Sequence, residues 1–175
     1  MKIGIISDTH DNVRHLRKAI EHMNQAEVSL VIHCGDWITA FTMAACYDLK
    51  APLETVLGNC DSRLDGYQHK SEHCFKDEMK NIIIHEQFLD TEQGGRRVAA
   101  VHGQDTDLLK HIVDSGKYDL VASGHTHQPK IERRGKTLMV NPGSTVGYYG
   151  GHEVPVTIAL YDTEKNEAEI IELAV

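Results

Sequence analysis

The sequence has no apolar run approaching 18 residues, no block of basic residues, no Cys-x-x-Cys pair, no internal repeat and no low-complexity tract. Each absence removes a class of protein. A bilayer-spanning helix needs about 20 mostly apolar residues, so no span is expected. The first eight residues, Met1-Lys2-Ile3-Gly4-Ile5-Ile6-Ser7-Asp8, lack the longer apolar core and cleavage site of a secretion signal. They read instead as a first strand. Lys and Arg number 18 against 26 Asp and Glu, for a formal net charge of -8. With the basic residues scattered, general nucleic-acid binding through a basic face is not expected, though a nucleotide substrate stays open. The four cysteines, Cys34, Cys46, Cys60 and Cys74, suit free thiols in a reducing cytoplasm.

What is present is a chain of 175 residues, expected to form one domain over 1–175. A chain of this size buries roughly 70% of its unfolded surface, enough for a proper core. Histidine is abundant, at 12 residues, so the positions of these side chains matter.

The order of elements can be read from the apolar pattern. Residues 2–6 form a buried strand, then Asp8-Thr9-His10, then a helix capped by Asp11 or Asn12. Val13, Leu16, Ile20 and Met23 supply its apolar stripe. A second strand over Val28–Ile32 closes in His33-Cys34-Gly35-Asp36, and residues 38–49 read as a second helix. A third strand, Leu53 to Leu57, closes in Gly58-Asn59-Cys60-Asp61. Residues 62–80 are polar and read as a long loop, either a lid or a solvated excursion. Strands follow at 81–85 and 86–92, and Gly94-Gly95 marks a hairpin into a strand from Arg97 to Val101, ending in His102-Gly103. A helix from Thr106 to Val113 stops at Gly116. A strand from Leu120 to Ser123 delivers Gly124-His125-Thr126-His127. Hairpins at 130–140 and 156–173 complete the chain. Strands alternating with helices, then antiparallel hairpins, predict an α/β fold: two packed sheets with helices outside.

Five strand ends carry metal-ligand chemistry. They offer Asp8 and His10, Asp36, Asn59, His102, and finally His125 with His127. Ligands of α/β sheets gather at the carboxyl ends of strands, so these loops can share one edge. Glycine adjoins Asp36, Asn59, His102 and His125, where it permits positive φ or close backbone approach. Each motif alone is a common turn; five in this order point to a metal site.

Asp8-x-His10, Gly35-Asp36, Gly58-Asn59-x-Asp61, His102-Gly103 and Gly124-His125-x-His127 resemble the signature blocks of the calcineurin-like metallophosphoesterases, over residues 1 to 144. The short length, Gly-Asn-Cys-Asp and Asn141-Pro142-Gly143-Ser144 resemble the small YfcE-type phosphodiesterases of bacteria and archaea. The resemblance implies an α/β, four-layer α/β/β/α sandwich of two mixed sheets flanked by helices. It implies two divalent transition-metal ions: Asp8, His10 and His127 for one, Asn59, His102 and His125 for the other, and Asp36 bridging. Mixed nitrogen and oxygen donors suit Mn, Ni, Fe, Co or Zn better than Mg or Ca. The implied activity is that of a phosphoric ester hydrolase, a phosphodiesterase of the EC 3.1.4 type, in which a hydroxide activated by two metals attacks phosphorus.

Departures and neighbours qualify this reading. Many members of the wider superfamily carry a histidine where Cys60 stands. Cys60 is then either a weak proton donor to the leaving group or a packing thiol, and substrates with good leaving groups are expected. Asp61 is the other adjacent candidate. Larger members continue His-Gly-His, whereas Gln104 stands here. Asp11, Asp61 and Thr126 are candidates to orient ligands, or else caps and turn formers. His15, His22 and His111 read as surface residues of helices, and His33 as a satisfied core residue. His69, His73 and His152 fall in loops, and Arg63 could meet a phosphate or stay solvated. Tyr148 and Tyr149 could stack on a base or aryl group or pack at a subunit contact. The expected partner is a small phosphate ester, in a homodimer or homotetramer. The competing reading is an interaction protein on the same fold, like the retromer scaffold subunit, with little or no catalysis.

Overall fold

The computed structural model describes residues 1–61 and 80–175. Most of the expected lid, with Arg63, His69, His73 and Cys74, lies outside the described residues.

The first sheet holds six strands: β1 (Lys2–Ile6), β2 (Leu30–His33), β3 (Leu53–Val56), β4 (Ile82–His85), β12 (Thr157–Asp162) and β13 (Glu167–Glu172), in the order β13-β12-β1-β2-β3-β4. β1 to β4 run parallel, β12 adds antiparallel to β1, and β13 adds antiparallel to β12. The second sheet holds β5 (Leu89–Gln93), β6 (Arg96–Ala100), β7 (Leu120–Ala122), β8 (Lys130–Arg134) and β9 (Thr137–Asn141), in the order β5-β6-β7-β9-β8. Its centre, β6, β7 and β9, is parallel, with antiparallel strands at both edges. A separate pair, β10 (Tyr148–Tyr149) and β11 (His152–Glu153), belongs to neither sheet.

Three apolar clusters define the layers. Ile3, Ile5, Ile32, Val98, Leu120 and Tyr161 fill the space between the sheets. The opposite face of the first sheet, with Ile6, Val31 and Leu53, packs on α1 (Val13–Gln25) and on α2 (Ala40–Ala44) with its following 3-10 turn (Ala45–Asp48). The opposite face of the second sheet packs Ala99, Val101 and Val121 on α3 (Thr106–Asp114). The result is the expected α/β/β/α order. Strands β1 and β2 are buried on both faces, so their sequences run apolar without alternation. Each fully buried Ile, Leu or Val there contributes about 1.5–3 kcal/mol.

Local chemistry sets the helix ends. Asn12, rather than Asp11, caps α1 by accepting from the His15 N–H at 3.2 Å. Asp105 caps α3, accepting from the Leu108 N–H at 2.9 Å, and Gly116 follows its end at φ +61°. Three expectations shift. The second strand starts at Leu30 and takes in His33. The helix expected over 38–49 splits into α2 and the 3-10 turn. His15 is not a free surface histidine: its Nδ1 lies 2.8 Å from Asn12 Nδ2 and 3.1 Å from the Thr145 carbonyl. The periodicity placed it off the apolar stripe correctly, but the loop that covers it comes from 130 residues later.

Candidate metal centre

The parallel strands β1, β2, β3, β6 and β7 release their chains at one edge, and the expected donors emerge there. Asp8 is fully buried and follows β1; Asp36 follows β2 and is nearly as buried. His127 Nε2 lies 3.2 Å from Asp8 Oδ1 and 3.2 Å from His10 Nε2. His10 Nε2 lies 3.5 Å from Asp36 Oδ2. His102 Nε2 lies 3.4 Å from Asp36 Oδ2 and 3.1 Å from Asn59 Oδ1. Three groups hold donors within 4.8 Å of one another: Asp8 with His10 and His127, Asp8 with Asp36 and His102, and His10 with Asp36 and Cys60. Asp8 and Asp36 thereby join both ends of the cluster. His125 stands at the rim: its backbone N–H donates to Asp8 Oδ2 at 3.0 Å, and its ring meets that of His102 edge-on at 5.1 Å.

The loops reach this arrangement under strain. Asp8, His10, Asp36, His125 and His127 all take positive φ, between +44° and +66°. For residues other than glycine such conformations cost about 1–3 kcal/mol each and persist only where surroundings enforce them. The enforcement is visible. Asp8 N–H donates to the Gly35 carbonyl and His10 N–H to the Asp36 carbonyl, each at 3.0 Å. Ser144 Oγ donates to the Asp8 carbonyl at 2.8 Å, and Asn141 Nδ2 to the Gly124 carbonyl at 2.7 Å. The neighbouring glycines serve different ends. Gly35 is needed both for its φ of +92° and for space, since a Cβ would come 2.7 Å from the Gly58 nitrogen, whereas Gly58 and Gly124 are needed for space alone: a Cβ there would collide with Asp36 and with Ser7 and Asp8 respectively.

Asp61 and Cys60 occupy distinct positions. Asp61 is buried, and its oxygens accept from four backbone N–H groups: Asp36 and Trp37 at 2.8 Å, Ile38 and Gly58 at 2.9 Å. It ties the β2 loop to the β3 loop. Cys60 is exposed; its N–H donates to Asp36 Oδ1 at 2.9 Å, and its thiol accepts from Asn59 Nδ2 at 3.3 Å. Beneath lies His33. Its Nδ1 accepts from the Gly35 N–H at 3.0 Å, so its Nε2–H faces Thr9 Oγ1 at 2.8 Å, and its ring stacks on Trp37 at 3.5 Å. It is the satisfied core histidine that the sequence suggested. Asp11 accepts from Thr39 Oγ1 at 2.7 Å and from Thr42 Oγ1, tying the first loop to α2. Thr126 Oγ1 accepts from Asn141 Nδ2 at 3.1 Å.

Electrostatics divides the donors. Burial, aided by His127, pulls His10 below its ordinary imidazole value despite Asp36. Burial lowers His102 as well, but contact with Asp36 outweighs it and the net shift is upward. Burial would raise Asp36, yet His102 and the Cys60 N–H hold it below the usual carboxylate range. Burial, with Asp36 adding to it, pushes the Cys60 thiol up to about 11. Burial also raises Asp61, against the pull of its N–H donors.

The donor set fits divalent cations on two counts. The Cys34 carbonyl, 2.7 Å from His102 Nδ1, can only accept, so it fixes the proton on Nδ1. In the neutral ring the Nε2 lone pair then faces two oxygens, Asp36 Oδ2 and Asn59 Oδ1. Either a proton on Nε2, which contact with Asp36 favours, or a metal cation between these atoms satisfies that convergence. Second, Asp8 Oδ1 is buried with no hydrogen-bond partner among the described residues, although it faces His127 Nε2. Metal ligation would satisfy that oxygen.

Sequence reasoning missed two contacts here. The Cys34 carbonyl has no signature, because any residue could supply it. The ring of Tyr149 lies 4.2 Å from that of His127, tilted by 31°, a contact with no sequence signal beyond an aromatic pair in a glycine-rich loop.

Comparison with known proteins gives these features their context. The calcineurin-like phosphoesterase superfamily domain matches residues 1–166. A Methanocaldococcus jannaschii protein named as a phosphodiesterase is 39% identical over 167 residues, 95% of this chain and 96% of its own. The solved structure of an archaeal phosphodiesterase superposes with a TM-score of 0.87 at 37% identity, covering 99% of this chain and 100% of the other. The fold alone is shared with YfcE of E. coli (TM-score 0.65, 19% identity, 99% and 100% covered) and with Vps29 of Entamoeba histolytica (0.68, 16%, 98% and 99%). The sandwich, the strand-end donors and the match across nearly the whole chain agree, and the chain belongs to the calcineurin-like phosphoesterase superfamily.

Proposed function

We propose that this chain is a phosphodiesterase that works with two divalent transition-metal ions and prefers esters with good leaving groups. The observation that carries the reading is the convergence of donor atoms of Asp8, His10, Asp36, Asn59, His102 and His127 at one edge, each within 3.5 Å of another. Asp8, His10 and His127 would hold one ion and Asn59, His102 and His125 the other, with Asp36 between them. When bound, the pair would supply Lewis acidity toward phosphoryl oxygens and an activated water as nucleophile. Manganese is the first candidate, with nickel, iron, cobalt and zinc compatible with the same donors.

The chain's own residues set the rest. Asp8 and Asp36 are the two carboxylates among the seven donors, so two divalent ions leave the pocket positive. A phosphate ester is then attracted locally despite a net chain charge of -8. Asp61 holds the loops carrying Asp36 and Asn59 in register through four N–H contacts. Cys60, a thiol with an ordinary value about two units above that of an imidazole, is a poor match for proton donation near neutral pH, which favours leaving groups that depart unprotonated.

The competing reading is an interaction scaffold on the same fold. Five of the seven expected donors, Asp8, His10, Asp36, His102 and His127, fall in groups able to hold a cation, and this together with 39% identity to a protein named as a phosphodiesterase favours the enzyme. The test is metal analysis of purified protein, followed by turnover of bis(4-nitrophenyl) phosphate with added manganese or nickel. Bound metal with chelator-sensitive hydrolysis is expected. Protein that takes up no transition metal and leaves the substrate intact would support the scaffold.

A further inference from the structure

The hairpin Tyr148–Glu153 stands apart from both sheets. Its strands have two residues each and turn through Gly150 and Gly151, at φ +58° and +87°. An isolated two-stranded hairpin is marginal in water, so contacts must place it. Its base is fastened. Asn12 Nδ2 donates to the Val146 carbonyl at 2.8 Å, and the Val154 N–H donates to the Gly147 carbonyl at 3.2 Å. Gly147, at φ +74°, lies so close to His15 that a Cβ would come within 2.6 Å of its ring. Its outer part meets the site through Tyr149, whose ring packs on His127 while the residue stays 52% exposed. His127 Nδ1 is buried with no hydrogen-bond partner among the described residues, while its Nε2 faces Asp8 and His10 and its ring packs on Tyr149.

We infer that Tyr149 is the recognition residue for a planar aromatic group, aryl or nucleobase, carried on the phosphate ester. This rests on the phosphoesterase reading. Because the Tyr149 ring packs on His127 and stays half exposed, the ester substituent of a phosphoryl group held by Asp8, Asp36 and His127 would lie within reach of its open side. A flat ring can stack there whatever its hydrogen-bonding edge, and a tyrosine with two side-chain torsions orders at low entropic cost. Tyr148 precedes it in an extended strand and so faces the opposite side, which makes it the internal control.

Calorimetric titration of the manganese-loaded protein tests this with two pairs of probes: adenosine 5′-monophosphate against ribose 5-phosphate, and phenyl phosphate against ethyl phosphate. The ring-bearing member of at least one pair should bind about tenfold more tightly to the unaltered protein. Tyr149→Ala should abolish that ratio, Tyr149→Trp should keep it, and Tyr148→Ala should leave it unchanged. Preference within the first pair alone assigns a nucleobase; within the second alone, an aryl group; within both, any planar ring. A ratio near one in the unaltered protein overturns the inference, as does a ratio that survives Tyr149→Ala. Equal weakening of both members would also overturn it, because Tyr149 would then act only through His127. Failure of the phosphoesterase reading is separate: it would appear as intact bis(4-nitrophenyl) phosphate.

Discussion

His33 illustrates how one residue can be read at two depths. Its position at the end of an apolar run suggested a buried, satisfied imidazole, and burial depresses it well below its ordinary value of 6.5. With Nδ1 accepting from Gly35, protonation would break that bond and place a charge in a fully buried position. The unfolded chain binds this proton below about pH 6.5 and the folded chain does not. Stability contributed by neutral His33 is therefore complete above that value and falls as pH drops, by about 1.4 kcal/mol per pH unit for one proton. Urea unfolding between pH 7.5 and 5 should show this slope, and His33→Asn should lower the overall stability but reduce the slope by about one proton. An unchanged slope would remove His33 from the linkage. By contrast, the left-handed conformations of Asp8, His10, Asp36, His125 and His127 were not legible. Aspartate and histidine tolerate them, yet nothing local requires them; backbone N–H bonds from Asp8 to Gly35, His10 to Asp36, Asp36 to Asp61 and His125 to Asp8 hold four of the five across the fold.

Among the elements, the β5–β6 hairpin was legible because its chemistry is local. Gln93 pairs with Arg96, leaving Gly94 and Gly95 as a two-residue turn, both at positive φ. Gly95→Ala meets no neighbour and should cost about 1–2 kcal/mol through the backbone alone. Gly94→Ala should cost more, since its Cβ would come 2.5 Å from Thr163 Oγ1 in the turn between β12 and β13. Chemical denaturation of the two variants should separate them in that order; equal losses would show that the Thr163 contact yields freely. The helix over 38–49 was less legible. Its Ala and Met pattern is compatible with α-helix, and tertiary contact with the first sheet and α1 decides that the second half tightens into a 3-10 turn.

At the scale of the molecule, two buried carboxylates and four imidazoles at one sheet edge make the fold and the cations interdependent. Metals that bind the folded donors and not the unfolded chain stabilise by mass action, about 2.7 kcal/mol at one hundred times the dissociation constant. Chelator treatment should therefore lower the thermal midpoint, and manganese should restore it in a concentration-dependent way. Asp36→Asn should abolish most of that restoration while unfolding cooperatively. A midpoint indifferent to chelator and manganese would mean that the cluster holds no structural cation.

The sequence by itself determined the class of fold, the order of most of its elements and which candidate donor side chains stand at the strand ends. Apolar runs, helix stripes and turn glycines act over a few residues, and the ligand types are carried by short motifs at strand ends. Only the tertiary structure decided how those donors meet. The tautomer of His102 depends on a carbonyl 68 residues away, the packing of His127 on Tyr149, and the join between two loops on the buried carboxylate of Asp61. Such contacts follow from sheet order and register, which no local spacing encodes.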